Sequence, residues 1–235
     1  MKICSLVLTP VVLLLLNAHC LHAQYTVTSV FASGSASVSG GGFPSDSDAF
    51  SANDFTGING IGASASGGIL LNSASGSATA RTRQFGDSDF GGFSISTSVS
   101  AGGFETFSPS AGVQTEIIFE LDTVYDVEYF STISVDGPSA SFNTFFRQIG
   151  PNGNTVLGGD SLSGFSLFGF DFVESSFFGR IGPGTFSIGD NGGTGGSSFS
   201  QGFSDQSITL TAVPEPSALF FLTTVCLAAF LRRTH

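Results

Sequence analysis

The strongest constraint on the fold of this chain is a period-two alternation of side chains between residues 113 and 135. In residues 113–121, every second residue from Val113 to Leu121 forms one apolar face, while Gln114, Glu116 and Glu120 lie on the other. Successive side chains of a strand point to opposite sides, so this spacing indicates a strand with one wet face. Residues 125–135 repeat the pattern. No segment shows helical spacing over an ordinary helix length, and the sequence therefore predicts an all-β body.

Further strands follow in the same half of the chain, separated by Gly, Pro and Asn turns. They are predicted at residues 139–149, 155–157, 164–173, 176–181, 185–188 and 207–213. Short strands joined by tight turns favour a β-sandwich, of jelly-roll type. Such a sandwich offers a core for large rings, and one group of phenylalanines is predicted to fill it. This group is Phe145, Phe146, Phe165, Phe168, Phe170, Phe172, Phe177 and Phe178.

The body, residues 24–212, has two parts that differ in composition. Residues 24–109 are rich in Ser, Gly and Ala, whereas residues 110–212 are rich in Phe. Small residues at alternate positions suit closely stacked strands, and the same composition also describes a flexible stalk. Recurring apolar residues such as Val27, Ile69 and Ile95 favour strands of the same sandwich.

The chain ends in a tripartite segment at residues 213–235. Proline keeps the residue before it extended, so a helix can begin only after the second proline. An apolar run follows, and a basic pair after it is expected to remain on the cytoplasmic side of a membrane. The motif is Val213, Pro214, Glu215, Pro216 and Ser217, the anchor extends from Ala218 to Leu231, and the basic stop is Arg232 and Arg233.

These three parts, in this order, resemble the PEP-CTERM sorting signal of Gram-negative bacteria. The resemblance is confined to residues 213–235. It implies that a membrane protease of the exosortase type is a partner, and that the protein is exported to the cell surface in association with exopolysaccharide or biofilm. The alternative is an ordinary membrane anchor. Because the apolar run is shorter than the ~20 residues of a comfortable span, a transient and processed anchor is favoured.

The amino terminus agrees with export. Lys2 precedes a short apolar stretch at residues 6–16, and residues 21–23 form a cleavage site before Gln24. Residues 1–23 are therefore predicted to be a secretory signal peptide. Lipidation at Cys20 is the weaker alternative, since the residues before it do not fit a lipidation site.

The composition of residues 24–212 excludes several chemistries. All Cys, His, Lys and Met residues of the chain lie outside this body, and the chain has no Trp. The body therefore lacks the imidazole or lysine base that Ser and Cys nucleophiles generally need. It also lacks the His and Cys ligands of a zinc site. The body also has 17 acidic residues against four arginines, which disfavours nucleic acid as a partner. The sequence predicts a protein that is not an enzyme.

Two sets of carboxylates invite a functional interpretation. Oxygen-rich loops could hold calcium, a hard cation, although no complete calcium-loop pattern is present. The candidate ligands are Asp46, Asp48, Asp54, Asp87 and Asp89.

The second set is Glu116 and Glu120 on one strand, expected to face Asp126 and Glu128 on the next. A carboxylate pair of this kind is the machinery of a glycosidase, but solvated outward residues are the simpler explanation. The favoured function is an exported, non-enzymatic surface or matrix protein. The alternative is a carbohydrate-binding module, with calcium as an optional aid.

Overall fold

The computed structural model describes residues 25–40, 45–54, 59–69, 72–86, 90–103, 107–164, 170–196 and 198–213. Within these ranges the structure consists of strands and turns. The strands are β1 Tyr25–Gly40, β2 Asp46–Ala52, β3 Asn59–Ile69, β4 Asn72–Gly86, β5 Phe90–Gly102, β6 Phe107–Leu121, β7 Tyr125–Asp136, β8 Ser141–Gly150, β9 Gly153–Gly158, β10 Ser161–Ser163, β11 Phe170–Ile181, β12 Gly184–Gly195 and β13 Ser200–Ala212. In the part of the chain so described, no helix has the length and apolarity needed to span a membrane.

The strands form a sandwich of two antiparallel sheets. The seven-stranded sheet has the order β10-β8-β12-β6-β1-β2, with β9 paired to β8. The six-stranded sheet has the order β11-β7-β13-β5-β4-β3. From β5 to β8 and again from β11 to β13, consecutive strands alternate between the two sheets, a winding typical of a jelly roll. The prediction of an all-β sandwich is confirmed, and the strands of the Ser/Gly/Ala-rich part lie in both sheets.

The alternation in β6 and β7 places one face of each strand in the core. Val113, Ile117 and Phe119 of β6 are buried, and so are Tyr129 and Ile133 of β7. Aromatic rings then join the two sheets at the centre. The ring of Phe119 on β6 lies 5.2 Å from that of Phe93 on β5 in the opposite sheet, measured between centroids. Burying such rings is the main favourable term in closing a sandwich that has no disulfide.

Several predicted strand boundaries are wrong. Strand β6 begins at Phe107 and not at residue 113, and β13 begins at Ser200 and not at residue 207. Residues 170–181 form one continuous strand, β11, whereas a break was expected between residues 173 and 176. Strand β12 runs on to Gly195 through a glycine-rich segment that carries no periodic signal. Two of its glycines are required by their neighbours: a Cβ on Gly192 would lie 2.2 Å from the Phe142 ring, and one on Gly189 would lie 2.3 Å from the carbonyl oxygen of Thr115.

The predicted phenylalanine core is only partly correct. Phe146 is buried and Phe177 packs against the core. Phe145 is half-buried on the outer face of the seven-stranded sheet, with the guanidinium of Arg147 4.3 Å from its ring centroid. The rings of β11 that share the other parity are exposed, because the even-numbered residues of this strand point away from the opposite sheet. They are Phe170, Phe172 and Phe178. Phe165 and Phe168 lie outside the described residues.

A carboxyl group lies buried between the sheets. The side chain of Asp190 on β12 is fully buried, and three hydroxyl groups donate hydrogen bonds to it. Thr115 comes from β6 of the same sheet, whereas Thr97 on β5 and Ser204 on β13 come from the opposite sheet. The Thr97 oxygen lies 2.6 Å from the carboxyl oxygen. The network therefore ties the two sheets together through side chains.

Burial raises the pKa of Asp190, and the hydroxyl donors oppose this shift. The folded state consequently holds the Asp190 proton more tightly than the unfolded chain, whose ordinary value is 3.8. The contribution of this proton to the free energy of unfolding is fully present below the unfolded pKa. It is lost as the pH rises through the folded pKa.

We predict that Asp190→Asn removes this pH dependence. The free energy of unfolding of the variant, relative to the wild type, should increase as the pH rises from below 3.8 towards neutrality. The change is at most about 1.4 kcal/mol per pH unit, the value for one proton. Urea unfolding of both proteins over a series of pH values measures it. A difference that stays constant across the series would contradict the prediction.

Candidate functional site

The outer face of the six-stranded sheet carries an unusual set of exposed phenylalanine rings. Phe170 and Phe172 on β11 are 69% and 61% exposed, and Phe203 on β13 is 41% exposed. Strand β7 lies between β11 and β13, so Phe172, Ser134 and Phe203 stand side by side in one row. The concentration of apolar rings on one face makes this face a candidate binding surface.

A groove of about 370 Å³ crosses β7 at this end of the face. Phe170 of β11 and Phe203 of β13 line it, and it extends over β13 to Ser98 and Ser100 of β5. Ser134 and Asp136 come from β7, and Gln201 comes from β13. The groove thus joins apolar walls to hydroxyl, amide and carboxylate groups, the usual mixture of a small-molecule site.

The opposite end of the same face holds a second aromatic group. Phe130 on β7 and Phe178 on β11 pack edge to face, with ring centroids 5.0 Å apart. Beyond them, the guanidinium of Arg180 donates two hydrogen bonds to Asp126, at 2.8 and 3.1 Å. These hydrogen bonds hold the pKa of the Asp126 carboxyl below its ordinary value. The arginine of this end is therefore engaged by a partner on its own face.

Carboxylates occupy the row between the two aromatic groups. Thr132 of β7 is paired with Glu174 on β11 and with Asp205 on β13. The Ser96 hydroxyl of β5 donates a hydrogen bond to Asp205. Along β7, the face is therefore aromatic at both ends and acidic in the middle.

The predicted calcium ligands have a structural role where the structure describes them. The Asp48 carboxylate accepts a hydrogen bond from the Ser64 amide at 3.1 Å, and Asp46 accepts one from the Ser66 amide at 2.8 Å. Strand β3 is the edge of its sheet, so these carboxylates of β2 cover unpaired N–H groups where one sheet meets the other. Asp54 is exposed just after β2, and Asp87 and Asp89 lie outside the described residues. The described residues contain no cluster of three His, Cys, Asp or Glu side chains suited to a metal.

We predict that Asp48→Ala lowers the free energy of unfolding by about 0.5–1.5 kcal/mol, because an edge N–H of β3 loses its acceptor. Glu120→Ala, which removes an exposed carboxylate of β6, is the control and should change it by less than about 0.5 kcal/mol. Millimolar calcium should leave the Tm of all three proteins unchanged in a calorimetric scan. A calcium-dependent rise in Tm that disappears in Asp48→Ala would instead assign this carboxylate to a calcium site.

The expectation that Glu116 and Glu120 face Asp126 and Glu128 is wrong. The first two lie on β6 of the seven-stranded sheet, and the other two lie on β7 of the six-stranded sheet. Their outward parity places the two pairs on opposite surfaces of the sandwich. Glu116 forms an ion pair with Arg147 at 2.7 Å. The prediction placed these carboxylates together on the assumption that consecutive strands pair. The chain instead crosses from one sheet to the other after β6.

The proposed sorting motif begins where the described part of the chain ends. The amide of Val213 donates a hydrogen bond to the carbonyl oxygen of Val124 at 3.0 Å, which fixes the exit point of the chain beside the start of β7. The remainder of the motif, its anchor and its basic stop lie outside the described residues. These are Pro214, Glu215, Pro216, Ser217, Ala218, Leu231, Arg232 and Arg233.

No family model and no curated protein matches the sequence. Among solved structures, TmCBM61 in complex with β-1,4-galactotriose is 12% identical, covers 57% of this chain and 88% of its own, and has a TM-score of 0.26. The family 11 carbohydrate-binding module of Clostridium thermocellum, in complex with a β-1,3-1,4-mixed-linked tetrasaccharide, is 14% identical over 77% of this chain and 98% of its own, with a TM-score of 0.21. The structure of infectious bursal disease virus Gx strain is 11% identical over 85% and 60%, with a TM-score of 0.25. At such TM-scores the likeness says nothing about what this chain binds.

The sequence did contain a signal for the aromatic face. The even-numbered residues of β11 include Glu174 and Arg180, two charged side chains that belong in water. Phe170, Phe172 and Phe178 share their parity and therefore their face. The prediction treated all the rings as core because it divided β11 into two strands and so lost the common parity.

Proposed function

We propose that this chain is an exported, non-enzymatic protein of the cell surface or extracellular matrix, and that it binds polysaccharide on the outer face of its six-stranded sheet. The observation that carries the proposal is the groove along β7, where exposed rings stand beside hydroxyl, amide and carboxylate groups. The proposed function thus combines the two functions considered from the sequence. The chain is an exported surface or matrix protein, and it acts there by binding carbohydrate.

The chemistry of a sugar chain matches this mixture of groups. A pyranose ring presents C–H groups on its flat faces and hydroxyl groups around its edge. The C–H faces pack on aromatic rings such as Phe172 and Phe203, because that contact removes apolar area of both partners from water. The edge hydroxyls can then exchange hydrogen bonds with Ser134, Gln201 and Asp136 in the groove.

Several features favour binding without catalysis. Residues 24–212 contain no His, Cys or Lys. The four carboxylates considered for glycoside hydrolysis do not form one cluster, because Glu116 and Glu120 lie on the opposite surface of the sandwich from Asp126 and Glu128. An open face along a sheet also leaves a substrate in water, whereas catalytic sites gain much of their electrostatic effect by excluding it.

Delivery follows from the two ends of the sequence. The signal peptide at residues 1–23 starts export, and the segment at residues 213–235 anchors the precursor until an exosortase-type protease cuts it. The released body then remains at the cell surface or in the extracellular polymer. The proposed contacts between the protein and the sugar chain do not require calcium.

We predict that Phe172→Ala and Phe203→Ala each weaken binding to the host's own exopolysaccharide by about five- to thirtyfold, because truncating a stacked ring costs ~1–2 kcal/mol of binding. Isothermal titration of the purified body measures the affinity. Phe172→Ala should unfold within about 0.5 kcal/mol of the wild type because Phe172 is 61% exposed, whereas Phe203→Ala should lower the free energy of unfolding by about 1 kcal/mol because Phe203 is more than half buried.

Phe90→Ala is the matched control for this experiment. Phe90 is 55% exposed on the same sheet, but it lies eight residues along β5 from the row of Phe203, about 26 Å at ~3.3 Å per residue. It should bind as the wild type does. If none of a panel of neutral, anionic and cationic polysaccharides gives saturable heat with the wild type, polysaccharide binding is ruled out.

A separate prediction concerns processing. Replacing Pro214, Glu215 and Pro216 together by Ala should leave a membrane-associated precursor in the native host, because the extended site for the protease is lost. Mass spectrometry of the cell and medium fractions distinguishes precursor from product, and Glu120→Gln should be processed normally. A wild-type product that retains Arg232 and Arg233 would contradict the proposed cleavage.

A further inference from the structure

We infer that the polysaccharide bound on this face carries free amino groups, so that the ligand is an amino-sugar chain with ammonium substituents. This inference rests on the proposed function and names its ligand class. It follows from where the charges lie on the proposed binding face and from the position of the acidic row between the two aromatic groups.

The charge of the face is the first step. On the outer surface of β11, β7 and β13, one cation stands against five carboxylates, and that cation, Arg180, is bound to Asp126 by two hydrogen bonds. The remaining carboxylates give the face a clear negative potential, which repels anionic polymers and attracts cations. They are Glu128, Asp136, Glu174 and Asp205.

The second step is the position of the acidic row. Glu174 and Asp205 flank Thr132, two strands apart, so their backbones are about 10 Å from each other across β7. Phe130 lies two residues from Thr132 in one direction along β7, and the row of Phe172 and Phe203 lies two residues away in the other. Each step is about 7 Å. A chain lying along β7 therefore packs on rings at both ends and meets carboxylates in the middle.

The third step is the substituent that these carboxylates select. A neutral sugar can only donate hydroxyl hydrogen bonds to them, whereas an ammonium group on C2 of the sugar adds charge-assisted hydrogen bonds. An ammonium group beside Phe172 or Phe203 also gains a cation–π contact. The nearest other cation in this row is Arg81 on β4, two strands beyond Asp205 and about 10 Å away. It leaves the acidic row over β7 open to a cationic ligand.

Three hexasaccharides with the same β-1,4 linkage test the inference, because they differ only at C2. They are the hexamers of glucose, of N-acetylglucosamine and of glucosamine, titrated into the purified body at slightly acidic pH, where the amines are charged. We expect the glucosamine hexamer to bind at least about tenfold more tightly than either neutral hexamer, the gain of one or two charge-assisted hydrogen bonds. This advantage should shrink as salt rises, since the face is exposed.

Matched variants connect the preference to the acidic row. Glu174→Gln should reduce the preference for the glucosamine hexamer about threefold to tenfold, because the neutral hexamers lose only an ordinary hydrogen-bond acceptor and the glucosamine hexamer loses a charged one. Asp205→Asn should act in the same direction. Glu120→Gln removes the same charge from the opposite face of the sandwich and should leave the preference unchanged. Both glutamates are exposed, so these variants should fold.

Each outcome separates this inference from the proposed function. Equal binding of all three hexamers, or tighter binding of a neutral or anionic glycan, overturns the inference and leaves polysaccharide binding in place. The absence of binding to every glycan in the wider panel overturns both. Sedimentation should show a monomer; a dimer that Phe172→Ala dissociates would put a second copy of the chain on this face and also overturn the inference.

Discussion

The register of β7 between β11 and β13 is the constraint on which both the core and the proposed binding face depend. The odd-numbered residues of β7, including Tyr129 and Ile133, are buried against the opposite sheet. The even-numbered residues Phe130, Thr132 and Ser134 form the floor of the outer face. Because side chains alternate, a slip of one residue would move the core outward and the binding face inward. The burial of the odd-numbered residues therefore also fixes the positions of the even-numbered ones.

The buried carboxyl of Asp190 adds a polar constraint to this apolar one. Its three hydroxyl partners come from β5, β6 and β13, and they meet it only in the native registers of both sheets. A shifted register would leave a buried carboxyl without its donors, which costs more than losing an equal area of apolar contact. Burial of this carboxyl thus lowers the free energy of unfolding near neutral pH, where the carboxyl would otherwise ionise. In return, it destabilises structures in which the two sheets are misaligned.

Strands that have one wet and one buried face could be predicted from the sequence, and β6 and β7 were predicted correctly because charged residues mark the wet side. Strand β11 was harder, since Phe occurs on both of its faces and only Glu174 and Arg180 distinguish them. Strand β12 could not be traced through its glycines, because glycine carries no periodic signal and Gly192 is required by the Phe142 ring of a neighbouring strand. The groove depends on the pairing of β7 with both β11 and β13, which joins segments about 40 to 75 residues apart. The alternation of side chains within one strand does not indicate which distant strands pair with it.

The same carboxylates oppose contact between two copies of the chain through the exposed aromatic face. Strand β11 is the edge of its sheet, and an exposed edge with apolar rings is a site for association between copies. Glu174, Glu128 and Asp205 lie among those rings, so two copies that approach through this face bring like charges together. An ammonium-bearing sugar chain would meet no such repulsion and would neutralise these charges. The negative charge that opposes contact between copies is therefore also the feature by which the proposed site would select a cationic glycan.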